Sequence, residues 1–223
     1  MTSLVRPTRI ICLANSYKHT ERCIAGIDLE TGKWVRPVSD LDDGRVPQKI
    51  RLIDGKEPEL LDILCIPLSD TGPDFGIESE NRLILPGKWL REEKASVTDV
   101  CKYCKNEKHI LHSTDKFVSP KYLASLHPEK RITLQLVETE EFSVKPKPRD
   151  IGGDQWLGSL KAKNGAELNK VSVTDPIYIR KFKQGQKPQN HCLITVGLSM
   201  PWPQSGAEEP RCWKLIVGII ELD

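Results

Sequence analysis

Apolar residues recur along this chain in short runs broken by Gly, Pro and polar clusters, the pattern of antiparallel β-structure. The first runs fall at Arg9 to Ala14, Arg22 to Asp28, Lys33 to Pro37, Lys49 to Ile53 and Leu60 to Ser69. Beyond TGPDFG and ESENRLILPGKWL the period changes. Val97, Val100, Cys101, Cys104 and Leu111 fall close to one helical face, which predicts a helix over Ser96 to Leu111 with Ser96 and Asp99 forming a capping box. Ser119 at an N-cap and Pro120 at N1 predict a second, shorter helix through KYLASLH, ending near His127-Pro128. From Arg131 the pattern is again that of strands: ITLQLVETEEFSVKP, WLGSLKAKNGAELNKVSVTDPIYIRKF, CLITVGLSMPW and CWKLIVGIIEL. Ile132, Leu134 and Leu136 alternate as a half-buried strand does, and Asn164-Gly165 sits between alternating segments as a hairpin turn.

The two helices thus interrupt a β-rich chain, leaving roughly five strands on either side, an inventory that two small Greek-key barrels of the oligonucleotide-binding (OB) type would use. The expected fold is mainly β: an OB-like barrel over residues 1–95, a helical connecting segment over 96–130 and a second OB-like barrel over 131–223. A single β-sandwich or one larger barrel fits the same strand count. At 223 residues there is room for either arrangement, since domains cluster near about 100 to 150 residues.

Composition adds little. With 33 Lys and Arg against 31 Asp and Glu, the net charge of +2 implies no partner by itself, so a nucleic-acid reading rests on where the cations sit. The opening MTSLVRPTRIICLAN has too short an apolar run for a signal peptide, and nowhere do 18 apolar residues run uninterrupted; a cytoplasmic protein with no membrane association is expected. Of seven cysteines, Cys12, Cys23, Cys65 and Cys192 lie in apolar runs where a thiol acts as a small hydrophobe, which favours reduced thiols over disulfides. The segments KPKPRD, Lys145 to Asp150, and KQGQKPQNH, Lys183 to His191, read as exposed loops or hairpin tips.

Three blocks carry a resemblance: ICLANSYKHTERCIAGIDLETGKWVRPVS near the start, ESENRLILPGKW in the middle and LSMPWPQSGAEEPRCWKLIVGIIEL at the end. In that order they resemble the dual-OB-domain family, small bacterial proteins with two OB-type barrels. The matching residues are Asn15, Ser16, Lys18, Arg22, Gly26, Trp34, Arg36 and Pro37, then Glu80 and Asn81, then Ser199, Lys214 and Gly218. Through the fold alone, the resemblance implies binding of nucleic acid or nucleotide. The segment from Cys101 to His112 matches none of these motifs.

An OB barrel holds a single strand by tracking phosphates with cations while bases stack on aromatic rings. Asn15, Ser16, Lys18 and Arg22, followed a hairpin later by Trp34 and Arg36, offer that mixture. Trp34 and Arg36 share a strand face, so Arg36 either contacts ligand or is held internally, stacked on Trp34 or paired with a carboxylate. Gly26 and Gly32 fit a bulge and a hairpin turn better than a phosphate cradle. At the other end of the chain Ser199, Trp202, Arg211 and Lys214, with Gln204 and Ser205 between them, crowd one end of the second barrel; Trp202 and Trp213 are either a binding rim or plugs of the barrel.

Cys101, Cys104, His109 and His112 have zinc-capable side chains within twelve residues, but Cys101 and Cys104 continue an apolar helical face, which makes helix core the favoured reading and zinc the lesser one. There is no Gly-x-Ser-x-Gly elbow. Asp40, Asp42 and Asp43 read as a solvated turn, and Gly152-Gly153-Asp154 as a turn entering a strand. The expectation is a non-catalytic module with no cofactor that binds single-stranded DNA or RNA, with Lys18, Arg22 and Arg36 on phosphates, Trp34 or Trp202 under bases, and Glu80, Asn81, Ser199 and Lys214 completing the site. The rivals are a nucleotide or modified-base sensing pocket, a nucleic-acid-processing enzyme using Asn15, Lys18, Glu80 and Asn81, and an interaction subunit with a protein partner.

Overall fold

The computed structural model describes residues 7–105, 107–149, 153–203 and 209–222. The chain divides into two compact units, Met1–Val100 and Cys101–Asp223, so the expected connecting segment falls on both sides of the division.

The first unit holds β1 (Thr8–Lys18), β2 (Glu21–Asp28), β3 (Trp34–Val38), α1 (Gln48–Arg51), β4 (Asp62–Ile66), β5 (Asn81–Leu83) and β6 (Leu90–Lys94). They form one sheet in the order β5-β3-β2-β1-β4-β6, antiparallel except for the parallel pair β3 and β5. β1 is long enough to serve two neighbours: Ile10 to Lys18 run along β2, and Thr8 to Ile11 along β4. Its register slips between Cys12 and Ala14, and opposite that bulge stands Gly26, where an added Cβ would lie 2.0 Å from the Ile11 carbonyl oxygen. The glycine is therefore a strand-approach residue, as a bulge requires. Gly32, with φ of +67°, makes the β2–β3 turn. Ile10, Cys12, Ile24, Val35, Val46, Leu64, Ile66 and Trp89 form the core between the sheet's curled halves.

After α2 (Val97–Cys101), the second unit contains β7 (Phe117–Val118), α3 (Pro120–Ser125), β8 (Leu134–Thr139), β9 (Ser143–Lys147), β10 (Gln155–Lys161), β11 (Glu167–Val173), α4 (Pro176–Lys183), β12 (Cys192–Leu198) and β13 (Cys212–Glu221). The order is β8-β12-β13-β11-β10-β9, with β7 on the start of β13 and only β11 and β13 parallel. Asn164-Gly165 makes the β10–β11 turn: Gly165, at φ of +85°, donates its N–H to the Ala162 carbonyl.

The two units share one connectivity although their sequences show no repeat. Taking β1 to β5, and β8, β10, β11, β12 and β13, as first to fifth strands, in each unit the first pairs with the fourth, the second with the third, and the third runs parallel to the fifth. A short helix joins third to fourth. This is a partly open Greek-key barrel of OB type, and each has a seam. In the first unit the fourth and fifth strands meet only just past their ends, at the Leu68–Ile84 bridge; in the second the first and second strands meet only at Thr139–Ala162. A sixth strand takes the edge left free there, β6 on β4 and β9 on β10.

Several elements differ from the sequence pattern. The helix expected over Ser96 to Leu111 is one turn, Val97–Cys101: Ser96 and Asp99 do form the capping box, but Leu111 takes a left-handed φ of +49° and gives its N–H to the Gln135 side chain, which ends helical periodicity. Pro120–Ser125 is a helix with Ser119 accepting from the Tyr122 N–H. Lys49 to Ile53, read as strand, is mostly the helical turn α1, where basic Arg51 is buried against Glu21, Glu57 and the Val46 carbonyl. Asp175 to Lys183, also read as strand, is α4, started by Asp175 accepting from the Ile177 and Tyr178 N–H groups with Pro176 at N1.

Candidate nucleic-acid interface

On β3, Arg36 points away from solvent. Its Nη1 lies 2.5 Å from Glu78 Oε1 and its Nη2 2.8 Å from Glu80 Oε1, with only 3% of the residue exposed. Asn81, its parallel neighbour on β5, donates to Glu78 Oε2 at 2.9 Å and to the Pro73 carbonyl at 2.8 Å. Burial alone would lower the guanidinium pKa; Glu78 and Glu80 more than reverse this and hold it above its ordinary value. Thus Arg36, Glu80 and Asn81, motif residues from two separate blocks, converge on a buried ion network. Of the two readings of Arg36, pairing with internal carboxylates matches this geometry. Asn15 is likewise turned inward, its amide donating to the Pro58 carbonyl at 2.7 Å, and Ser16 is buried beside it.

The cationic part of the front cluster lies at the β1–β2 turn, the loop between first and second strands. Tyr17 pairs in register with Arg22, whose guanidinium stacks 4.2 Å over the exposed Tyr17 ring. Lys18, half-buried, forms no ion pair among the described residues. Trp34 is half-buried at the start of β3. Sequence reasoning passed over Tyr17; its cue was the hairpin register with Arg22.

In the second unit Ser199 and Lys214 fasten the β12–β13 connection. The Ser199 Oγ accepts from the Trp213 N–H at 2.9 Å, and the ammonium of Lys214, 2% exposed, donates to the Ser113 carbonyl at 2.6 Å. Burial pushes the Lys214 pKa down to about 8. Between these anchors Trp202 is 54% exposed and bridges Arg211, whose guanidinium sits 4.1 Å over Phe117 and 5.9 Å from the Trp213 ring centre. Gln204 and Ser205 lie outside the described residues. Phe117 arrives on β7 from almost a hundred residues upstream, and nothing local in the sequence marks it.

The KPKPRD segment, whose composition predicts an exposed loop, places its Lys145 and Lys147 on a strand. Across β10, Trp156 packs on Phe182 at 5.2 Å and a Cβ on Gly158 would meet Ile216 at 2.3 Å, so Gln155, Leu157 and Ser159 face outward. β9 sets Lys147 opposite Gln155 and Lys145 opposite Leu157, on that outer face, with Arg149 two residues on. On β11, Lys170 adopts a left-handed φ of +53°, its N–H held by Ser159 Oγ at 3.0 Å. Lys145, Lys147, Arg149 and Lys170 form no ion pair among the described residues.

The zinc-capable residues do not converge: among the described residues no three His, Cys, Asp or Glu side chains gather as metal ligands. Cys101 ends α2, Cys104 closes the following turn with its thiol pushed up to about 12 by burial, and His112 Nε2 is engaged with the Ile132 backbone at 2.9 Å. Asp40 and Asp42 are exposed, whereas Asp43 is part-buried and pairs with Arg45 at 3.0 Å. Gly152 lies outside the described residues. No helix among the described residues is long and apolar enough to cross a membrane.

Two Greek-key barrels of one connectivity, each with polar and cationic groups at its loops, define a tandem OB-type protein. The model for the dual OB-containing domain matches residues 8–219, and the chain belongs to that family. No curated protein and no solved structure matches it.

Proposed function

We propose that this protein binds single-stranded DNA or RNA through the outer faces and loops of its barrels, without catalysing a reaction on it. The observation that carries the reading is topological. OB barrels take oligonucleotides on the face of their second and third strands and on the loops joining first to second and fourth to fifth. Here the β10–β11 face is flanked by Lys145, Lys147 and Arg149, which lie in the first-to-second connection. Trp202 and Arg211 lie in the fourth-to-fifth connection of the same barrel, and Tyr17, Lys18 and Arg22 in the first-to-second connection of the other. The cations stand on phosphates and Trp202 under a base, a stack worth about 1–3 kcal/mol. Arg36, Glu80, Asn81, Ser199 and Lys214 position these groups from inside.

The test is fluorescence anisotropy of the full chain with single-stranded DNA, single-stranded RNA and duplex over a salt series. Each phosphate contact contributes a slope of about −0.7 in log K against log salt for a single strand. Replacing Lys145, Lys147 and Arg149 together by Gln therefore lowers the slope magnitude by about 2, and Lys18→Ala lowers it by about 0.7. Absence of binding to any polymer, or unchanged slopes in both variants, refutes the proposal.

A further inference from the structure

The second unit contains a cavity of about 140 Å³ that the strand-binding surface does not use. Its walls are Glu107, Lys108, His109, Leu111, His112, Ile132 and Gln135. The loop that forms it is conformationally costly: Leu111 (φ +49°) and His112 (φ +72°) are consecutive left-handed residues without being glycine. Such positions persist only where surrounding contacts hold them, and they concentrate at ligand sites. Two contacts hold these: the Leu111 N–H donates to Gln135 Oε1 at 2.8 Å, and His112 Nε2 engages the Ile132 backbone.

Gln135 is 5% exposed, with its oxygen committed to Leu111 and its amide nitrogen lacking any protein partner among the described residues. The amide N–H is not sealed from solvent but opens on the cavity, where it is a donor free to meet whatever enters. His109, at the half-buried rim, also has no hydrogen-bond partner among the described residues. Burial lowers the His112 pKa, which favours the neutral ring. The cavity therefore offers hydrogen-bond donors above an apolar wall of Leu111 and Ile132.

Size narrows the occupant. A closed apolar cavity of about 150 Å³ accommodates benzene, so the enclosed part of this one matches a single six-membered ring better than a fused pair. The mouth is also continuous with the β10–β11 hairpin, because Asn164 at its tip donates to the Glu107 carbonyl at 2.5 Å. We propose that the cavity is a pocket for one unstacked pyrimidine base, whose C2 carbonyl oxygen (or, in cytosine, N3) accepts from the Gln135 amide. This rests on the strand-binding reading only for the source of the base; the pocket itself is tested with free nucleosides.

The measurement is NMR titration of the full chain with cytidine, uridine, adenosine and guanosine, following the ring protons of His109 and His112. Pyrimidine nucleosides are expected to shift both rings saturably and purine nucleosides to shift neither. Gln135→Glu keeps the acceptor for Leu111 and removes the donor, so at neutral pH it should weaken pyrimidine binding about tenfold or more. If it unfolds the unit, His109→Ala at the rim replaces it, with a weaker loss expected. Equal response to all four nucleosides, no response to any, or full affinity in folded Gln135→Glu overturns the pocket. The strand reading fails separately, through the salt series, since a nucleoside carries no phosphate.

Discussion

Replacing Arg36 by Met separates an internal role for this residue from a phosphate contact. In the folded protein the guanidinium pairs with Glu78, whose side chain is 1% exposed, and with Glu80, at 9%. Met fills comparable volume but leaves both carboxylates buried without their cation. Breaking a buried pair by removing one partner costs about 3–5 kcal/mol. With a urea m-value of about 2 kcal/mol/M, the midpoint of the first unit falls by about 1.5–2.5 M. Because the chain has two compact units, a single transition cannot be assumed. Urea unfolding should therefore be followed by amide exchange in β3 and β5 as well as by tryptophan fluorescence. Converting Glu78 and Glu80 to Gln in the same background removes the stranded charges and should restore most of the loss, since Gln still offers Asn81 an acceptor. The salt slope for single strands should stay at the wild-type value wherever the variant is folded. An unchanged midpoint, with a slope reduced by about 0.7, would show that Arg36 meets phosphate and that its ion network is dispensable.

Burial pushes the Asp175 carboxyl up to about 6, against the pull of N–H groups from Ile177, Tyr178 and Ile219. A folded-state value above the unfolded one means that the folded chain holds a proton the unfolded chain has released, so stability falls as pH rises from about 4 through about 6, by about 3 kcal/mol in all. Asp175→Asn should flatten that dependence, read from urea midpoints across the range. Gly26→Ala places a methyl against the Ile11 carbonyl and should cost about 1–3 kcal/mol or more by forcing β1 and β2 apart, measured as a lower urea midpoint of the first unit.

Much of the fold was legible because local rules and tertiary packing agree in it. The strand marked by Leu134 and Leu136, the Asn164-Gly165 turn and the Ser119-Pro120 helix start each depend on residues close in sequence and each is found, although β8 begins after Ile132 and is buried on both faces rather than half-buried. The misreadings came from segments where a distant partner decides. Leu111 leaves the helical pattern because Gln135 takes its N–H, and Arg51 sits buried in α1 because Glu21 and Glu57 neutralise it. The start of α4 was marked locally by Asp175-Pro176, but the apolar IYI that follows has the composition of a strand. Within the site, the motif residues were recognisable while their orientation was not. Arg36 and Lys18 both read as long cations near a turn, and only the arrival of Glu78 and Glu80 on the neighbouring segment separates a neutralised interior arginine from a rim lysine. The cations of β9 were visible as KPKPRD; that they stand in register along a sheet follows from pairing with β10.

The seam strands stand where each barrel would otherwise close. β9 lies along the edge of β10 that β8 would otherwise take, and β8 is left touching that neighbour at one point near its end. β9 thus occupies the row of backbone donors and acceptors on β10 that would otherwise close the second barrel onto β8. In the other unit β6 holds the same post beside β4. The strand standing in the second barrel's seam is the one carrying Lys145 and Lys147, so the same hairpin that leaves that barrel partly open also sets its outer cations in register along β10.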